Sequence, residues 1–323
     1  MLNQILFTKV DNSQLLIFRI FFGILITLES YGAIATGWVK ETLLNPHFTF
    51  TFIGFEWLQP LPGYGMYFYF FIMGTLGLFI AFGFKYRFSI ITFTLMWSAV
   101  YLMQKSSYNN HYYLLALISF LMCFFPAHRE YSIDAKRNTS IQSNSMYAYV
   151  RWGIIIQLFV VYTYASIAKL YGDWLDFGIL EILMKDKADY PIIGPFLQEN
   201  WVHKSIAIIG IVFDALIVPA LLWKPTRKMA FIISIFFHLF NSIVFQIGIF
   251  PYLALAFTVF FFEPSAIRSI FFKKKQAFTE NQLQLPSYRS VLFFGFGIYF
   301  LIQLLLPIRH HFIKDDVLWT EEG

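Results

Sequence analysis

The sequence predicts an all-α fold: a polytopic bundle of about nine transmembrane helices (eight if one short run does not cross). Its N-terminus is expected to be cytoplasmic and its C-terminus external. Three observations predict this. Hydrophobic residues are 58% of the 323 and charged residues only 13%, against roughly 25% charged in soluble domains. The apolar residues gather into runs that can cross a hydrocarbon core of roughly 30 Å at about 1.5 Å per helical residue. Lysines and arginines lie between the runs and are shared unequally between alternate connections.

In chain order the runs are 14–36, 64–84, 88–105, 110–126, 148–170, 204–223, 229–247, 250–262 and 290–306. The first has no small-residue cleavage pattern near its end, so it reads as a retained span and not a signal peptide. The run at 250–262 is short and contains Pro251, which predicts a tilted or re-entrant segment. With nine spans and a cytoplasmic N-terminus, fourteen of the 24 basic residues fall in inner segments and seven in outer ones. The positive-inside rule selects that orientation.

Two outer connections are long. The segment 37–63 carries Trp38, Trp57 and three prolines, and 171–203 carries Trp174, Trp201 and an apolar stretch at 177–184. Both predict helices lying in the membrane interface. The basic residues are explained by topology, so no nucleic-acid partner is expected. The single cysteine, Cys123, excludes an internal disulfide and a cysteine metal site. No phosphate-binding glycine loop or H-E-x-x-H zinc signature is present, and no metal is expected.

Ionisable residues within spans mark function or structure because they are costly there. Arg19 and Arg151 stand near cytoplasmic ends and read as interfacial anchors. Glu29 lies deeper in the first span, structural or functional. Asp214 and His238 lie at similar depth on consecutive antiparallel spans, each roughly 15 Å from a helix end. They form either a satisfied structural pair or the wall of a polar cavity, and Asn241 is one turn from His238 on the same face. Lys169 closes the fifth span on the outer side. It is either an anchor or a reactive amine, since a lysine desolvated among apolar groups gives up its proton more readily and then serves as a base. Asn110 and His111 open the fourth span on the same side, where Asn also serves as a helix cap. Charge-derived topology thus places Lys169, His111 and Asn241 together in the outer half.

Several segments resemble the vitamin K-dependent γ-glutamyl carboxylase family and its bacterial relatives with a horizontally transferred transmembrane domain. They are Asn109-Asn110-His111-Tyr112-Tyr113-Leu114, then Ala168-Lys169-Leu170 with Asp173-Trp174, and Phe237-His238 with Asn241-Ser242 continuing through Gly248 to Phe250. Phe18-Arg19 with Gly23, and Leu305-Leu306-Pro307 with Arg309-His310, also match bacterial members. The resemblance covers nearly the whole chain in order.

It implies quinol-driven strong-base chemistry. A neutral lysine deprotonates reduced vitamin K or a menaquinol-type quinone, oxygen adds, and the strong base so formed removes a γ-proton from glutamate. Carbon dioxide then attacks the carbanion. By motif, Lys169 is the base and His111 its hydrogen-bonding partner, with Asn110, His238 and Asn241 supporting the quinol. The implied partners are membrane lipid, the quinol and a glutamate-containing peptide, and the implied location is a bacterial inner membrane.

Two departures stand out. Ala168 occupies a place where the family often has a second lysine. The family's extramembrane β-rich domain is expected to be missing or truncated, with 1–312 the transmembrane domain and 313–323 the start of that region. The rival reading is a non-catalytic membrane module, or a transporter relaying protons or solute through Asp214 and His238. The absence of an obvious repeat between the two halves counts against transport.

Overall fold

The computed structural model describes residues 2–107, 109–278, 285–309 and 312. Residues 313–323, expected to begin an extramembrane region, lie outside the described residues. After α1 (Leu2–Phe7), strand β1 (Lys9–Asp11) pairs antiparallel with β2 (Ser145–Tyr147), Lys9 opposite Tyr147. The remaining described structure is helical. It comprises α2 (Ser13–Ala35), α3 (Gly65–Phe82), α4 (Tyr86–Met103), α5 (Asn110–Phe124), α6 (Ile133–Arg137) and α7 (Ala148–Ala168). Short helices α8 (Gly172–Leu175), α9 (Gly178–Lys185) and α10 (Gly194–Leu197) precede α11 (Asn200–Leu222) and α12 (Arg227–Val244). The chain continues through α13 (Phe250–Phe257), α14 (Pro264–Phe271) and α15 (Arg289–Leu305).

Every apolar run carries helix. Among the described residues, α2, α3, α7, α11 and α12 are long and apolar enough to cross a membrane, and α13 with α14 make a sixth if that pair, bent by 120°, is one span. The bend lies at 262–263, at the end of the run expected to be tilted or re-entrant. It falls where Pro264 opens a new helix, since a proline fits the first turn but not a helix interior. The connection 171–203 carries short helices, as expected. The connection 37–63 does so only at its start: residues 38–44 are helical, ending in the π-helical turn Lys40–Leu44, and the rest is irregular. Its aromatics lack a helical period, and its three prolines interrupt the N–H ladder.

The chain forms two compact units. One comprises the described residues of Met1–Ile154 and Gly248–Arg289, the other those of Ile155–Ile247 and Ser290–Thr320.

In the first unit α2 and α3 approach through small residues. A Cβ on Gly23 would stand 2.4 Å from the Ala81 nitrogen, and one on Gly77 would stand 2.9 Å from the Thr27 nitrogen. Gly23/Thr27 and Gly77/Ala81 are each four apart, which puts a small pair on each facing surface and lets the backbones touch. Arg19 is not a snorkelling anchor. It is 1% exposed, and its guanidinium donates to the carbonyls of Ala127 (2.8 Å), Glu130 (3.3 Å) and Tyr131 (2.6 Å). Arg151 likewise donates through Nε to the Phe260 carbonyl at 2.8 Å. Each cation satisfies carbonyls that a buried turn would leave unpaired.

A buried ion network lies just before α2. Lys275 Nζ contacts Asp11 Oδ1 at 3.1 Å and Glu130 Oε2 at 3.4 Å, with its side chain 0% exposed, and Arg268 reaches Asp11 at 3.2 Å. Burial raises the Asp11 carboxyl, but the Ser13 hydroxyl and N–H together with Lys275 outweigh it and hold the group below its ordinary range. Burial dominates at Glu130 and pushes it up, although Lys275 opposes the rise.

In the second unit, Ser166 Oγ of α7 donates to Ile211 O of α11 at 3.1 Å, and Tyr299 of α15 donates to Gln157 Oε1 at 2.7 Å. The segment α9–α10 packs Met184 and Leu197 against Val244 at the end of α12. His203 is buried there, with its Nε2 2.7 Å from Leu197 O.

Candidate functional site

Lys169 directly follows the last residue of α7. Its N–H bonds to Ser166 O at 3.2 Å, a tightened final turn. The helix face behind it carries Ser166 and Tyr162, three and seven residues back, so α7 presents one polar edge. Opposite stands α11, whose Asp214 faces inward while Ile208, Val212 and Leu216 are exposed on its other side.

These two helices bring Lys169 and Asp214 together. Nζ donates to Oδ2 at 2.7 Å and to the Ala165 carbonyl at 3.3 Å. The lysine side chain is 24% exposed and the aspartate 8%, so the amine remains reachable while the carboxylate is enclosed. Nζ also lies 5.3 Å from the Trp174 ring centre, within cation–π range. Trp174 is fixed by its indole N–H to Ala207 O at 3.3 Å. A methyl at Gly210 would meet both Trp174 and Lys169 at van der Waals distance, 3.6 and 3.8 Å, so the glycine leaves a small gap beside the pair.

This corrects two expectations. The amine is not alone among apolar groups, because it has an acid partner. Nor do Asp214 and His238 pair with each other. His238 Nε2 lies 3.2 Å from the Tyr162 hydroxyl. Phe213 stacks on Phe237 at 3.7 Å, and both rings stand edge-on to the imidazole. Lys169–Asp214 and Tyr162–His238 are thus separate polar pairs set among aromatic rings. Asn241 is half-buried one turn beyond His238, and its carbonyl accepts the N–H groups of Phe245 and Gln246 that close α12. Tyr162 escaped the sequence reading, although its seven-residue spacing from Lys169 marks the same face.

The other predicted residues belong to the first unit. Asn109 is the cap of α5, its Oδ1 accepting the Tyr112 N–H at 2.7 Å, which leaves Asn110 and His111 in the first turn. The His111 ring lies 4.0 Å from that of Phe250. Glu29 accepts hydrogen bonds from the Tyr112 hydroxyl and the Ile249 N–H. It borders a cavity of about 20 Å³ walled by Trp38, Phe70, Trp97 and Tyr101, room for a single water.

Chemically, the Lys169–Asp214 pair joins one amine and one carboxylate through a hydrogen bond, an acid–base couple between which a proton can move.

The HTTM domain model matches residues 7–265, and the model for the lumenal domain of vitamin K-dependent gamma-carboxylase matches residues 288–323. No solved structure matches. The first match spans most of the chain, from before α2 into α14, and includes Asn110, His111, Lys169, Asp214, His238 and Asn241. The chain is therefore an integral membrane protein that belongs to the HTTM family of vitamin K-dependent gamma-carboxylase-like proteins.

Proposed function

We propose that this protein is a γ-carboxylase-like membrane enzyme in which the Lys169–Asp214 pair accepts the proton of a reduced quinone. The observation that carries this reading is the 2.7 Å contact between Nζ and Oδ2, at the lysine to which the resemblance assigns the role of base.

The surroundings fit a flat aromatic quinol. Trp174, Phe213 and Phe237 offer ring faces and edges, while Tyr162 and His238 offer hydrogen bonds. When bound, a vitamin K- or menaquinol-type quinol supplies the reducing equivalents that, with oxygen, generate a base strong enough to deprotonate glutamate. The chain's own contribution is to receive the proton at the Lys169–Asp214 pair, where the carboxylate takes it up beside the ammonium, and to exclude water with aromatic walls. Asp214 orients the amine and compensates its charge. By motif, the resemblance assigns His111 to the lysine as its hydrogen-bonding partner, and Asn110, His238 and Asn241 to the quinol. Carbon dioxide is the second co-substrate, and a glutamate-containing peptide the acceptor. Nine crossings in a bacterial inner membrane, with the N-terminus inside and the C-terminus outside, complete the reading. The distribution of Lys and Arg supports that orientation.

The test is quinol-dependent oxygen uptake and incorporation of labelled carbon dioxide by the reconstituted full chain. Lys169→Ala is expected to lower both by a factor on the order of 100 or more while helical content is retained. Undiminished turnover in the folded variant overturns the assignment.

A further inference from the structure

On the first unit, far in sequence from Lys169, the turn between α3 and α4 and the helix α6 enclose a surface cavity of about 360 Å³ lined by Lys85, Arg87, Phe88 and Asp134. Its charge is unbalanced. Both oxygens of Asp134 are occupied by the backbone N–H groups of Lys85 and Tyr86, each at 2.8 Å. Arg87 spends one guanidinium N–H on the Cys123 carbonyl, which fixes its position and leaves its charge uncompensated. Arg137 joins the group from α6. Its guanidinium lies 4.9 Å from the Phe84 ring centre, and Lys85 Nζ lies 5.9 Å from the same ring. Three cations therefore surround one carboxylate that is already engaged.

The cavity also opens onto an apolar surface. Phe88 on its wall begins a stripe continued by Ile91 and Leu95, exposed by 63%, 45% and 67%. The steps of three and four residues keep them on one face of α4. A cationic recess at the head of an exposed apolar stripe has the shape of an amphiphile with an anionic head. We propose that this cleft binds an anionic phospholipid, its phosphate between Lys85, Arg87 and Arg137 and an acyl chain along Phe88, Ile91 and Leu95. Charge complementarity and the unbroken passage from cations to apolar stripe favour a lipid over a soluble anion.

The purified full chain in detergent is titrated with phosphatidylglycerol, with phosphatidylcholine of the same chains, and with inorganic phosphate, and bound lipid is read by native mass spectrometry. The expected result is a clear preference for phosphatidylglycerol. Lys85→Gln and Arg137→Gln should each weaken it about fivefold, while Lys228→Gln, at an exposed lysine of the other unit, leaves it unchanged. Neither tested side chain holds a carbonyl in place, so both variants should fold, and unchanged thermal unfolding checks this. Equal binding of the two lipids overturns the proposal. So does displacement of phosphatidylglycerol by equimolar inorganic phosphate, or a loss in Lys228→Gln equal to that in the cleft variants.

Discussion

Lys169 Nζ and Asp214 Oδ2 lie 2.7 Å apart although the residues are 45 positions apart in the chain. Removing the acid and removing the amine should have different consequences. Asp214→Asn leaves a cation without its partner in a largely enclosed place, and Asp214→Glu restores the charge at a shifted position. We expect Asn to lower quinol-dependent oxygen uptake by at least tenfold and Glu to recover part of it. Asn should also cost about 1–3 kcal/mol of stability, below the range for a fully buried pair because the amine is partly open. Equal activity in the Asn variant and the wild type would remove Asp214 from the site.

Lys275 makes a prediction about the membrane-flanking network. With its side chain fully buried between Asp11 and Glu130, Lys275→Ala leaves two carboxylates close together with only Arg268 to compensate them. The expected loss is about 3–5 kcal/mol, seen as a large drop in the thermal unfolding midpoint in detergent. Lys273→Ala and Lys274→Ala, at exposed positions, should move the midpoint little. A similar effect at all three positions would mean that the network contributes nothing specific.

His128 sets an acid limit. Burial, with a secondary contribution from the Arg87 guanidinium, pushes its imidazole down to about 4, against an ordinary value of 6.5. The folded protein therefore favours neutral His128. Its contribution is complete above pH 6.5 and is lost as pH falls from there towards 4, because the unfolded chain takes up the proton first. The amount is on the order of 3 kcal/mol. Unfolding midpoints at pH 7 and pH 4.5 should separate more in the wild type than in His128→Gln. Identical pH dependence in the two proteins would refute this.

At the α2–α3 contact, Gly23→Val would force side-chain atoms into the Ala81 backbone, which already lies 2.4 Å from where a single Cβ would sit. The backbones must part, at a cost of about 1–3 kcal/mol from overpacking. Gly32→Val, in the same helix but with open space around it, is the control. A matched loss in both would place the effect in helix propensity instead of packing.

The helices were legible because apolar runs report directly on what lipid and core demand. Lys169 was singled out because the charge-derived topology gave it no anchoring role at its end of the span. Its partner was not legible. Asp214 and His238 were expected to share a depth, but depth does not fix rotation: α11 turns the carboxylate to the lysine of α7's end, and α12 turns the imidazole to Tyr162. Arg19 was misread for a related reason. Its acceptors come from a turn 108 to 112 residues away, and nothing local distinguishes a buried cation from a snorkelling one. The segment 45–63 was misread because aromatic density was given more weight than three prolines.

The pairing of Lys169 with Asp214 has one further consequence. Taken as ammonium and carboxylate, the pair carries no net charge, and the attraction between its members offsets much of what their enclosure costs. Add a proton and the same enclosure must house a full positive charge, which is expensive away from water. That cost is removed if the proton's donor stays beside the pair as an anion. Under the proposed function, the site is therefore biased to accept a proton only from a molecule it retains, so that proton movement and the holding of the conjugate base become one event.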